Sequence, residues 1–464
     1  MVLRFNKIKK MHLVGIGGSG MSGIAEILLS MGYPVSGSDI AESPVVKRLR
    51  KLGAEIAVGH KPENINKSDA VIISSAIGME NPEVIAANSM KLPVIRRAEM
   101  LGELMRVKFG IAIAGTHGKT TTTSMTGMVL SEAGLDPTII VGGILSKLGS
   151  SAKLGQSDYL VAEADEYDRS FLDLIPSIAV ITNLEPEHME CYADFDDLRS
   201  AFLQFANRVP FFGRVVLCLD DPILQEMYPD FKRNVLTYGL LPHADINARN
   251  LRLSRRGSEC DLFFGKDHAG KMRLNLHGQY NIKNALAALA VAMELDVPFK
   301  TAVKALESFT GVRRRFEHKG EVNGIDLYDD FAHHPTELSE LIKSIKGSFD
   351  RRLVVIFQPH LYSRTQAFYK QFGTVLMEAD KVIVTRIYPA REKPIQGVEG
   401  HLISDTLKQL GHTDAEYIPD TDSIPSVIKN ELEKGDLVVT VGAGNIFKVG
   451  AALLEALEKD DQTD

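Results

Sequence analysis

Three successive α/β domains are what this sequence predicts, on three observations. At 464 residues the chain is too long for one hydrophobic core. Strand-like and helix-like segments alternate along it, the pattern of parallel sheets with crossover helices. Two Gly-rich loops, "GIGGSG" and "GTHGKT", each follow an apolar run and open a helix. The expected architecture is a Rossmann-like domain over 1–107, a P-loop-type domain over 108–312 and a second Rossmann-like α/β domain over 313–464.

The elements follow in order. "MHLVGI", "YPVSGSD", "AVIISSA" and "LPVIRR" read as short strands, with helical stretches such as "VVKRLRKLGA" between them. "FGIAIAG" restarts the pattern and leads through "TIIVGGI", "DYLVAEAD", "SIAVITNLE" and "GRVVLCLDD", with the amphipathic "DFDDLRSAFLQFANRV" before the last. "NVLTYGL", "ADINARNLRL", "ECDLFFG" and "KMRLNLHG" are short β runs separated by turn residues, which predicts an antiparallel insert. Two helices, "NIKNALAALAVAMEL" and "FKTAVKALESF", close that unit. The third series runs through "GIDLYDDFA", "RRLVVIFQPH", "DKVIVTRIY" and "GDLVVTVGAGN" to a terminal helix, "VGAALLEALEK".

Composition narrows the class. A formal net charge of -7 gives no electrostatic footprint for nucleic acid. Cys191, Cys218 and Cys260 are far apart and form no CxxC pair, which predicts core thiols of a reducing compartment. The N-terminal apolar run breaks into glycines too soon for a signal peptide or a membrane span. These features predict a cytoplasmic protein with no membrane partner, and they set no oligomeric state.

Gly15, Gly17 and Gly20 match GxGxxG between a strand and a helix, with Asp39 at the end of the next strand. Such glycines let backbone N–H groups and a helix N-terminus approach a diphosphate. By itself the loop admits NAD, and so an oxidoreductase, or a UDP-sugar. Gly59-His60, Ser74 to Ile77 and Asn81 to Glu83 add polar groups near strand ends, where turn and cap chemistry also places them.

The second loop lacks the first Gly of a strict GxxxxGK[ST], which is Ile113 here. Gly115, Thr116, His117, Gly118, Lys119 and Thr120 keep the physics: backbone donors, a lysine for the β/γ-phosphates and a hydroxyl for Mg²⁺. "DYLVAEADEYD" turns acidic at its C-terminal end, and strand alternation puts Glu163 and Asp165 on one face, with Glu163 as the expected Mg²⁺ ligand. His188 lies just beyond another strand. NAD chemistry leaves this second loop unexplained.

"GIGGSGMSGIAE", "GTHGKTTTT", "EADEYDRSFL", "TNLEPEHME", "GQYNIKNALAA", "GVRRRFE", "YDDFAHHPTEL", "FQPHLYSRT" and "YPAREKPI" span all three domains. On these the chain resembles the Mur ligase family of peptidoglycan synthesis, above all its alanine-adding branch. The resemblance implies an ATP-dependent ligase that joins L-alanine to the lactyl carboxylate of UDP-N-acetylmuramic acid through an acyl phosphate, with Mg²⁺ as cofactor. It implies the sugar nucleotide on the first domain, with Gly17, Gly18, Ser19 and Gly20 at the diphosphate and Asp39, His60 and Ser75 nearby. For ATP it implies Gly115 to Thr120 together with Thr121, Asn281, Asn284, Arg314 and Asp330. Thr120, Glu163 and His188 would hold metal, and His333, His360 and Arg364 the amino acid. Lys119, Arg314, Arg315, His333 and His188 would serve catalysis. Tyr280 stands where the family usually has His, and "EADEYD" also resembles the sister ligase that attaches a ready-made tripeptide to the same sugar nucleotide.

Overall fold

The computed structural model describes residues 8–461 except 75, 146–149 and 391. It is an α/β structure built on three sheets, and the chain divides into two compact units. The first comprises residues 1–250, 260–272 and 281–309, and the second comprises 251–259, 273–280 and 310–464.

The first unit begins with five strands: β1 (Met11–Val14), β2 (Val35–Asp39), β3 (Glu55–Val58), β4 (Ala70–Ile73) and β5 (Val94–Arg96). They form a parallel sheet in the order β3-β2-β1-β4-β5. The order reverses between β1 and β4, which opens a crevice at the strands' C-terminal ends. β1 and β4 are buried along their whole length, as sheets covered on both faces require. β3, which the sequence did not announce, is an edge strand with mostly exposed or half-buried side chains.

The central sheet contains β6 (Phe109–Ala114), β7 (Thr138–Leu145), β8 (Ser150–Lys153), β9 (Tyr159–Glu163), β10 (Ile178–Ile181), β11 (Arg214–Cys218) and β12 (Val235–Gly239). Its order is β12-β11-β10-β6-β9-β7-β8, parallel except for β7 with β8. β13 (Ile246–Ser254), β14 (Gly257–Phe264) and β15 (Asp267–Leu274) extend it past β12. The expected antiparallel insert is therefore corrected at its first strand. β12 pairs in parallel with both β11 and β13, and only the two-residue connections of β13, β14 and β15 are hairpin-like. The boundary between the compact units passes through these last three strands.

In the second unit, β16 (Glu317–Val322), β17 (Ile325–Asp330), β18 (Leu353–Phe357), β19 (Lys381–Val384), β20 (Ala415–Tyr417) and β21 (Leu437–Val441) lie in the order β16-β17-β21-β18-β19-β20. Only β16 runs antiparallel. Alternation sorts β18 into two cores. Leu353, Val355 and Phe357 join Leu338, Leu341 and Phe372, while Val354 and Ile356 join Val449 and Leu453 of the terminal helix Phe447–Asp461.

Candidate active site

Two glycine loops sit at the C-terminal ends of β1 and β6, where the backbone must bend sharply into a helix. In the first, Gly15 has φ +75° and the helix Ser19–Ser30 starts after Gly18. The Gly17 amide donates to Asp39 Oδ2 at 2.8 Å, so Asp39 ties β2 to the loop. That employment differs from the ribose contact an acidic residue makes in dinucleotide folds. His60 follows β3 and holds Ser38 at 2.9 Å through Nδ1. A Cβ on Gly20 would meet the Arg97 guanidinium at 3.0 Å, so this unpredicted cation covers the helix start. Ser75 and the side chain of Ser19 lie outside the described residues.

The second loop is held more tightly. Gly115 has φ +129°, and a Cβ there would collide with the Thr182 hydroxyl. Gly118 caps the helix Lys119–Glu132 in the left-handed region, and a Cβ on it would come within 2.6 Å of Asn284 Oδ1. Thr182 and Asn183, just past β10, grip the His117 carbonyl, while the His117 amide donates to Asn183 Oδ1 at 2.8 Å. Asn284 also accepts from the Thr122 hydroxyl at 3.2 Å, and Asn281 lies 3.4 Å from it on the same helix, Gln279–Glu294. The two asparagines named from sequence are thus gathered against the loop, and Thr182 and Asn183 join them unannounced.

Lys119 folds back on this loop. Its Nζ donates to Glu166 Oε2 at 2.8 Å and Oε1 at 3.0 Å, and to the carbonyls of Gly115 at 2.7 Å and Thr116 at 3.2 Å. Burial opposes its charge, but the carboxylates of Glu166 and Asp165 outweigh burial and hold its pKa above the usual lysine value. Glu166 is itself buried and was not anticipated; its partner lies 47 positions away, beyond the reach of any local pattern.

The expectation that Glu163 and Asp165 share a strand face is corrected, because β9 ends at Glu163. Asp165 and Glu166 lie on the turn beyond it, where Asp168 and Arg169 take φ of +48° and +62°. One ligand atom from each of Asp165, Glu166 and His188 lies within 4.8 Å of the others, a trio to which Glu163 does not belong. Two carboxylates suit a hard divalent cation, and the imidazole is the softer departure. His188 has φ +56° and packs edge-on against Tyr167.

The second unit holds its own cluster. Arg314, at φ +60°, is fully engaged there: Nε with Asp329 at 2.9 Å, Nη1 with the Gly444 carbonyl at 3.1 Å and Nη2 with the Gly442 carbonyl at 2.6 Å. Arg315 makes one looser ion pair, 3.6 Å from Glu337. Asp330 accepts the amides of Phe316 and Ala332, both at 2.7 Å, and burial pushes its carboxyl up to about 6. The His333 and His360 rings are 5.7 Å apart, and Arg364 reaches His360 Nδ1 at 3.5 Å. Burial, helped by His333 and Arg364, lowers His360 to about 4, so the ring is uncharged at neutral pH. Burial likewise raises the Tyr280 phenol, which stays protonated.

Comparison with known proteins covers nearly the whole chain. Residues 10–109 match the model of the Mur ligase family, catalytic domain, residues 113–292 the Mur ligase middle domain, and residues 314–444 the Mur ligase, glutamate ligase domain. The UDP-N-acetylmuramate–L-alanine ligase of Geotalea uraniireducens is 48% identical, with 98% of this chain and 100% of that protein covered. Its counterpart in Syntrophotalea carbinolica is 47% identical over 98% and 100%. Among solved structures, the UDP-N-acetylmuramate-alanine ligase MurC of Thermotoga maritima superposes with a TM-score of 0.80 at 30% identity, over 97% of this chain and 99% of that one. A murein peptide ligase from Psychrobacter arcticus reaches 0.68 at 26%, over 97% and 98%.

Proposed function

The chain belongs to the Mur ligase family, and from that premise we propose that it joins L-alanine to the lactyl carboxylate of UDP-N-acetylmuramic acid in an ATP-driven step of peptidoglycan precursor synthesis. One observation carries the reading: two phosphate cradles on two different sheets, one for each nucleotide of such a reaction. The domain limits of the proposal are 1–107, 108–312 and 313–464. Among the described residues no helix is long and apolar enough to cross a membrane. The reaction belongs in the cytoplasm, where ATP is available.

The chemistry assigns work to each group. A carboxylate oxygen of the sugar attacks the γ-phosphorus, ADP leaves, and an acyl phosphate forms. The alanine amine attacks its carbonyl, and phosphate departs from the tetrahedral intermediate. Two anions meet in the first half, so positive charge must be concentrated there. Lys119 supplies it once phosphate replaces Glu166 as its partner, and Arg315 is the freer of the two arginines for the same task. Thr120, Glu163 and His188, with Asp165 and Glu166 beside them, are the groups for Mg²⁺, which when bound neutralises phosphate charge. The uncharged His360 does not repel the ammonium of alanine, and Arg364 beside it suits the amino acid's carboxylate.

The test is phosphate release with UDP-N-acetylmuramic acid, ATP and Mg²⁺ across L-alanine, glycine, L-serine and the cell-wall tripeptide, with NAD as a separate arm. L-alanine should give the highest kcat/KM. Preference for the tripeptide would move the chain to the recycling branch, and activity with NAD but no phosphate release would overturn the ligase reading.

A further inference from the structure

Beneath the first cradle lies a buried polar network that neither loop requires. Glu83 is fully buried, yet it is surrounded by donors. Its Oε1 accepts from Asn64 Nδ2 at 2.5 Å and from the Lys61 amide at 3.2 Å. Its Oε2 accepts from the Ser38 hydroxyl at 2.5 Å, and the rings of His12 and His60 each bring a nitrogen within 3.5 Å of it. His12 is itself buried, with Nδ1 3.0 Å from Ser36 Oγ. Burial would raise the Glu83 carboxyl, but the nearby His12 ring and the hydrogen bonds of Ser38 and Asn64 outweigh it and hold the pKa at about 2.

Proton counting through this chain has one solution. Ionised Glu83 has no proton to give, so the bond to Ser38 uses the single hydroxyl proton of Ser38. The Ser38 oxygen, 2.9 Å from His60 Nδ1, must therefore accept, and the proton of that bond sits on Nδ1. The other ring nitrogen, Nε2, has no hydrogen-bond partner among the described residues. His60 stands just past the C-terminal end of β3, on the same sheet edge as Gly17 and Asp39.

We infer that Glu83 and Ser38 are positioning residues that lock His60 with its proton on Nδ1, so that the bare Nε2 accepts from a ribose hydroxyl of a nucleoside diphosphate held in the first cradle. The inference rests on the proposed role of that cradle. It makes a sharp claim about one isosteric change. In Glu83→Gln, Asn64 and the Lys61 amide still demand an oxygen on their side, so the new amide nitrogen faces Ser38. Ser38 then accepts from Gln and donates to Nδ1, and the His60 proton moves to Nε2. The polarity of the relay is reversed without removing a heavy atom.

The experiment uses the full chain labelled with ¹⁵N-histidine at pH 8, above the ordinary histidine pKa, with UDP as the probe. Two-bond N–H correlations should show His60 protonated at Nδ1 in the wild type and at Nε2 in Glu83→Gln. Calorimetry should show UDP binding weakened about tenfold in that variant, the scale of one lost hydrogen bond from a ribose hydroxyl, which faces an N–H instead of a lone pair. Ser38→Ala, which leaves the Asn64 and Lys61 bonds intact, should weaken UDP to a similar degree, with the KM for ATP unchanged in both. An Nδ1 proton that persists in Glu83→Gln, or wild-type UDP affinity in both variants, overturns the relay. Undiminished UDP binding in His60→Ala overturns the site reading instead, and the tautomer result still judges the relay.

Discussion

The ammonium of Lys119 already has a counterion, Glu166, and that pairing shapes what single substitutions do. Lys119→Ala should lower kcat/KM for ATP by about three orders of magnitude, the scale of one removed charge-stabilising group, with UDP affinity unchanged by calorimetry. Parallel loss of both would mean that the two cradles are not independent. His360 supports a pH argument in the second unit. Its folded pKa of about 4 lies below the unfolded value near 6.5, so the unfolded chain binds the extra proton between those limits. Its contribution is present above pH 6.5 and is lost as pH falls toward 4, by roughly 3 kcal/mol at most. Urea midpoints of His360→Gln should therefore fall less between pH 6.5 and 4 than those of the wild type. Equal slopes would show that the ring titrates normally.

At the scale of elements, the turn from β6 into the helix Lys119–Glu132 leaves no room for a side chain at Gly115 or Gly118. Gly118→Ala would force a left-handed Ala against Asn284, at about 1–2 kcal/mol of backbone strain alone. An ATP KM raised at least about tenfold is expected, with the KM for the sugar nucleotide unchanged. The same elements show what a sequence discloses. β1, β4, β6, β18 and β21 were legible because buried parallel strands are apolar almost without interruption. β3, β16 and the three-residue β20 lie toward sheet edges, carry mixed polarity, and left no such trace. The glycine loops were legible because their chemistry is contiguous. Glu166, Thr182 and Arg97 were not, since each acts on a partner far away in the chain. Asn81 to Glu83 did stand out, and it is indeed a helix cap: Asn81 Oδ1 accepts the Glu83 amide at 2.9 Å. The bonds from Glu83 to Ser38 and Asn64 needed the fold.

For the molecule as a whole, the first cradle belongs to a sheet of its own, distinct from the one that carries Lys119. Hydrogen exchange with UDP alone should slow peptides covering residues 15–20 and 58–61 while residues 310–461 exchange as before. Protection spread through the second unit would contradict a self-sufficient sugar-nucleotide site. A last consequence concerns how fast ATP arrives. The chain carries a formal net charge of -7, and the one cation at the heart of the second loop is already matched by Glu166. With Lys119 so matched, an incoming polyanion exchanges one counterion for another rather than meeting a bare cation. Stopped-flow association should consequently lack the steep decline with added salt that electrostatic steering produces, and Glu166→Gln, by uncovering Lys119, should restore it.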